Sequence, residues 1–152
     1  MATTVEKKIF QALTGAVTTF PLPVGWTQAA NVALPGEDLV PPLTATTKFI
    51  SVEFDFNRPI PTDAVSQGLP PIRQGFMRCS VRWPRKSAEV DAIDLAGQLA
   101  DYFKIGTKLY REGLQVRLDD HPEIVSVPLV PADTHKTVAV IVRWLCFPIV
   151  PA

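Results

Sequence analysis

The stretch "KTVAVIVRWLCF", Lys136 to Phe147, decides how this chain folds. Val138, Val140, Val142, Trp144 and Cys146 alternate onto one side, which is the period of a strand with a buried face. The other side carries Ala139, Ile141, Arg143, Leu145 and Phe147, so it too is apolar apart from one obligate cation. A strand that is apolar on both sides belongs in the middle of a sheet, covered above and below.

The same three letters V-R-W occur earlier, in "GFMRCSVRWPRK". There Met77, Cys79, Val81 and Trp83 share one side while Arg78, Ser80 and Arg82 share the other, and Pro84, which has no ladder donor, ends the strand. Two copies of a tripeptide in a strand-rich chain are simplest as chance. "KFISVEFDF" alternates in the same way, with Ile50, Val52, Phe54 and Phe56 inward. "LQVRL" places Leu114, Val116 and Leu118 inward, and Pro128 in "EIVSVPLV" argues for an edge strand.

Two segments have the helical period. Val5, Ile9, Ala12, Leu13 and Ala16 fall on one face, which predicts a helix from about Val5 to Thr14 with Thr3 or Thr4 as its cap. In "SAEVDAIDLAGQLADYFKIG" the stripe is Ala92, Ile93, Ala96, Leu99, Ala100 and Phe103, with Ser87 as the cap candidate and Gly106 after the last turn. The expected fold is therefore α+β, a mixed and mainly antiparallel sheet of about five strands with two main helices packed on one face. With 152 residues, one domain spanning 1–152 is expected. Proline-dense loops are expected at "FPLPVGWTQAANVALPGEDLVPPLT" and at 57–74.

Fifteen basic residues balance fifteen acidic ones, which excludes a bulk cationic grip on nucleic acid or membrane and favours protein partners. Cys79 and Cys146 lie in apolar runs without zinc-site spacing, so buried free thiols in a reducing cytoplasm are expected. The N-terminus lacks the features of a signal peptide, and no apolar run is long enough to span a bilayer. Five cations from Arg73 to Lys86 could form a nucleic-acid patch, but Glu89, Asp91, Asp94 and Asp101 follow at once, which favours a solvated face or an acidic partner.

A catalytic reading would need His121 and His135 to converge with Asp119, Asp120, Glu123 or Asp133 from separate loops, and no fixed spacing supports that. Nucleophile-elbow and phosphate-loop motifs are absent from the sequence. No cofactor or metal is implied, and a non-enzyme is favoured over a small metal-dependent hydrolase.

Two helices cover one face of such a sheet, so something else must cover the other. The proline loops are one candidate. The alternative is another subunit, with Phe49, Phe76, Ile141, Leu145 and Phe147 as an exposed apolar stripe and Arg78, Arg82 and Arg143 as interface cations. On that reading Arg143, among apolar neighbours, is paired in a partly dry setting and costly to replace, whereas Arg82 is solvated and dispensable.

Several phrases together resemble the tail-terminator-like proteins of long-tailed bacteriophages. "IFQAL" followed by "LPVGWTQAANVALP" is similar to the family's opening helix and its loop, with Trp26 and Pro35 at matched positions. "GFMRCSVRWPRKSAEVDAIDLAGQLADYFKIGTKL" resembles the family's glycine-led strand, turn and alanine-rich helix, with Phe103, Gly106, Thr107 and Leu109 at the exit. "TVAVIVRWLCF" resembles its last core strand, while the loop 57–74 departs from the family pattern.

The resemblance implies a virion protein, assembled in the host cytoplasm, that forms a ring of typically six subunits on the head-proximal end of the tail tube. Such a ring stops tube growth, offers a surface to head-completion or neck proteins, and lets DNA pass through its lumen without sequence-specific binding. Another neck component, such as a head-closure or tail-tube protein, shares this ring logic.

Overall fold

The computed structural model describes residues 4–58 and 72–147. The elements run α1 (Val5–Thr18), α2 (Gln28–Asn31), β1 (Val32–Ala33), β2 (Phe49–Phe56), β3 (Arg73–Pro84), α3 (Val90–Tyr102), β4 (Lys108–Arg111), β5 (Leu114–Arg117), β6 (Glu123–Val127) and β7 (His135–Phe147). The strands form one sheet in the order β1-β2-β3-β7-β5-β4, with β6 also paired to β7. Only the β1–β2 pair is parallel among the described residues. The fold is thus α+β with a mixed, mainly antiparallel sheet, as the periodicities predict.

β7 is the central strand. One edge pairs with β3 from Arg73 opposite Cys146 to Pro84 opposite His135. Its other edge is divided between β6, opposite Thr137 to Ile141, and β5, opposite Leu145 to Phe147. The two V-R-W sequences therefore lie on neighbouring antiparallel strands at opposite ends of the ladder. Both tryptophans point to the helix side and are buried, while both arginines alternate to the other face.

α1 packs against β4 and β5, and α3 against β3, β6 and β7. The space between holds one apolar core that includes Ile9, Leu13, Ile50, Val52, Met77, Cys79, Leu99, Phe103, Val116, Leu118, Val140, Val142 and Trp144.

The sheet has seven strands among the described residues, not about five. β1 is two residues long, too short to show a period. β4 was hidden because it forms a hairpin with β5 around Glu112 and Gly113, whose φ values of 45° and 82° suit a two-residue turn of the primed type. The proline-rich region after α1 also contains α2, whose start is fixed by the Thr27 hydroxyl accepting from the Ala30 amide.

α1 runs beyond the expected stop at Thr14. Gly15 lowers propensity there, but burial of Ala16 and Val17 outweighs it. At its start the Thr4 hydroxyl accepts from the Lys7 amide at 3.2 Å.

Two expectations about α3 need correction. Ile93 is 48% exposed and Leu95 takes its place in the core, because the inward stripe is turned by about a quarter of a residue step from the one inferred. Ser87 is not the cap. Glu89 holds that position without a side-chain bond. Ser87 belongs to the preceding turn, where its amide donates to the Pro84 carbonyl and its own carbonyl accepts from Lys136 Nζ.

Cys79 and Cys146 are free and buried. Burial pushes Cys79 up to about 12 from 9. Burial likewise raises Cys146 to about 11, with Arg73 pulling it down and Glu6 pushing it up. Both thiols stay neutral in the folded chain to a higher pH than in the unfolded one. Their contribution to stability is therefore intact below about pH 9 and lost as pH rises from there toward 11 and 12. At pH 8 iodoacetamide should leave both cysteines unmodified in the native chain and label both in denaturant. Labelling of the native chain at the denatured rate would contradict their burial.

Gly75 sits where β2, β3 and β7 meet, opposite Phe56 and Trp144. A Cβ there would overlap the Asp55 carbonyl oxygen and approach Cζ2 of Trp144 to 2.6 Å. The backbone contact cannot be relieved by a rotamer change. Gly75→Val should therefore lower stability by about 3 kcal/mol, at the upper end of overpacking costs, in denaturant unfolding.

Candidate interface on the second face of the sheet

Cross-strand neighbours point to the same side, so the register defines the face turned away from the helices. Phe49, Arg82 and Thr137 form one row, with Ser51, Ser80, Ala139 and Val125 beside it. Glu53, Arg78, Ile141 and Glu123 form the next, then Asp55, Phe76 and Arg143, then Gln74, Leu145, Arg117 and Lys108. No described helix packs on this face.

Its centre is apolar and half open. Phe76, Ile141 and Leu145 are partly buried, and Val125 is exposed. Around them stand charges of both signs: Arg78, Arg82, Arg143 and Arg117 against Glu53, Asp55 and Glu123. Of Phe147 only the backbone is described, paired opposite Gln115.

Phe49 departs from expectation. It is 7% exposed, because the segment before β2 folds over it: the ring meets His135 edge-on at 5.5 Å, and His135 Nε2 is 2.8 Å from the Thr47 carbonyl oxygen. That corner of the face is closed within the subunit, and Phe49 is not part of an exposed stripe.

The two arginines also exchange the places inferred for them within the subunit. Arg82 is partly buried, its Nε donating to Ser51 Oγ at 2.9 Å and its Nη1 to Thr137 Oγ1 at 3.3 Å. The side chain of Arg143 is 55% exposed and reaches Glu123 Oε2 only at 3.6 Å. Arg82 lies beside two hydroxyl-bearing residues that alternation alone cannot reveal, since they come from other strands. Arg78, between Glu53 and Ile141, keeps a buried Nε with no partner among the described residues. A desolvated donor of this kind is costly unless something accepts from it.

The five cations from Arg73 to Lys86 do not form one patch. Arg73 pairs with Glu6 at 3.3 Å, Arg78 and Arg82 lie on the second face, and Lys86 is exposed. Arg85 Nη1 donates to the carbonyls of Val130, Pro131 and Asp133, tying the β6–β7 connection to the end of β3.

The histidines do not converge. His121 is exposed between β5 and β6, whereas His135 is buried between Thr134 and Thr47. Among the described residues no group of three His, Cys, Asp or Glu side chains could hold a metal ion.

Sequence reading also missed a cavity of about 350 Å³ on the helix side, at the end of the sheet where β2 begins and β3 ends. Trp26 and Trp83 lie against each other there, with centroids 5.7 Å apart and planes inclined by 36°. Pro21, Leu22, Pro23 and Leu95 complete the apolar wall, and Lys48, Asp91, Asp94 and Gln98 form the polar rim.

A family model described as phage tail terminator protein matches residues 8–144. No curated protein matches the chain. A solved structure whose title carries no functional description aligns over 99% of this chain and 100% of its own, with a TM-score of 0.70 at 19% identity, which shows a shared fold.

In the isolated chain Arg82→Gln should cost about 1 kcal/mol, because two hydrogen bonds from a partly buried guanidinium are lost. Arg143→Gln should change stability by less than about 0.5 kcal/mol, as expected for an exposed pair. Thermal unfolding of the two variants side by side measures the difference.

Proposed function

Because the chain belongs to the phage tail terminator family, we propose that this structural component of a phage tail caps the head-proximal end of the tail tube as a homo-oligomeric ring. The ring ends tube polymerisation and presents a joint to head-completion or neck proteins, and DNA passes through its lumen without base-specific contacts. Six is the subunit number that the resemblance suggests.

The observation that carries this reading is the half-open second face of the central sheet, on which no described helix packs. A strand as apolar as β7 is stable with cover on both sides, and the described helices cover only one. Phe76, Ile141, Leu145 and Val125 supply the centre of a contact, and the mixed charges around them supply its polar rim. Arg78 Nε then finds an acceptor on the neighbour, and Arg143 moves from water into a setting where its charge must be paired. The near-equal numbers of acidic and basic groups suit contact between identical copies, since neither face repels its mate.

Particles assembled without the protein should carry tails of uncontrolled length in electron micrographs, and adding it back should restore one length and place density at the tube end. Ile141→Lys should keep the native melting temperature to within a few degrees yet abolish tube-end density, because the side chain is only partly buried in the subunit. Uniform tail lengths in the absence of the protein would overturn the reading.

A further inference from the structure

The cavity around Trp26 and Trp83 plays no part in the proposed second-face contact, and its chemistry is specific. One wall is two tryptophans with Pro21 and Pro23, and the opposite rim is two exposed carboxylates from the first turns of α3, Asp91 and Asp94. Asp94 accepts from the Gln98 amide at 2.9 Å, and Asp91 has no ion-pair partner among the described residues. Lys48 stands 5.0 Å above the Trp83 ring and so already occupies the cation site there, which leaves Trp26 and the carboxylate pair open. Rim charge is net negative, two acids against one base. Aromatic walls beside an acidic rim are how grooves recognise proline-bearing peptides that carry a basic residue.

This chain contains such a segment. Asn57-Arg58-Pro59-Ile60-Pro61 directly follows β2, and Arg58 is exposed. The segment cannot reach the cavity of its own subunit. The cavity includes Lys48 and Trp83, at the end of the β2–β3 pair where Phe49 faces Arg82, whereas Arg58 leaves from the opposite end, where Phe56 faces Gly75. The 8 residues of β2 separate those ends by roughly 27 Å. Pro61, five residues beyond Phe56, can reach back at most about 18 Å.

We propose that the cavity receives the Arg58–Pro61 segment of a second copy of this chain, the guanidinium meeting Asp91 and Asp94 and the prolines lying on Trp26. Donor and acceptor sit at opposite ends of one subunit, so the contact is head-to-tail, the kind that closes into a ring. It rests on the proposed ring and adds a specific joint to it.

The test is titration of a synthetic peptide of residues 55–63 into the full chain carrying Arg58→Glu, so that the segments of other copies in solution cannot compete, read by tryptophan fluorescence. Saturable binding is expected, weakened at least tenfold by Asp91→Asn with Asp94→Asn, and at least tenfold by changing the peptide's arginine to glutamate. The double asparagine variant should melt within a few degrees of its parent, since both carboxylates are exposed. Restored tube-end rings in a chain combining Arg58→Glu with Asp94→Lys would add the reciprocal evidence. No binding at millimolar peptide, binding unaffected by the asparagine pair, or equal binding of a polyproline peptide without arginine would overturn the inference. Rings that still form on tube ends in that case would leave the terminator reading standing and remove only this joint.

Discussion

The long antiparallel pairing of β3 with β7 is the constraint on which the rest of the structure depends. It places Met77, Cys79 and Val81 beside Val142, Val140 and Val138, giving the sheet a continuous apolar surface for α3. It also sets the register that sends both tryptophans inward and both arginines outward. A slip of one residue would invert every one of these side chains, so the buried face specifies the pairing strongly. Gly75 adds a steric lock, because the carbonyl of Asp55 and the ring of Trp144 occupy the space a side chain would need.

The open face shows how the same strand serves two surroundings. Ala139 is fully buried and Ile141 and Leu145 are partly so, yet Arg143 between them is more than half exposed, because an arginine can lay its stem along apolar neighbours and hold its head in water. A face of that composition tolerates the free subunit and still contributes apolar area to an assembly. Among the described residues Arg78 Nε is the buried donor on this face that has no partner, and Trp144 Nε1 is its counterpart on the helix side.

The two candidate contacts differ in physical character. The second face is broad, with a half-exposed apolar centre, so its strength would come from burying apolar area. The tryptophan cavity is small and concave with an acidic rim, so its strength would come from a few directed contacts. A broad weak surface combined with a narrow specific joint gives an assembly that is sensitive to geometry, because each contact alone is modest and both must be met at one subunit rotation.

The sequence by itself determined the elements with a clear period: the positions of β2, β3, β5, β6 and β7, the core faces of β3, β5 and β7, that of β2 except for Phe56, which is 42% exposed at the strand's end, and the two long helices. It also carried the family resemblance, through the phrases around Trp26 and Pro35 and the stretch from Gly75 to Leu109. Elements shorter than a period, β1 and α2, were invisible to it, as was the rotation of α3 that exchanges Ile93 for Leu95. Tertiary structure alone decided which outward residues are free. Phe49 looked exposed by alternation and is buried by a segment that folds back from before β2, and Arg82 is held by hydroxyls on two other strands. The reason is the same in each case. Alternation is a property of one strand, whereas cover and hydrogen-bond partners come from residues distant in sequence, and only the packed chain brings them together.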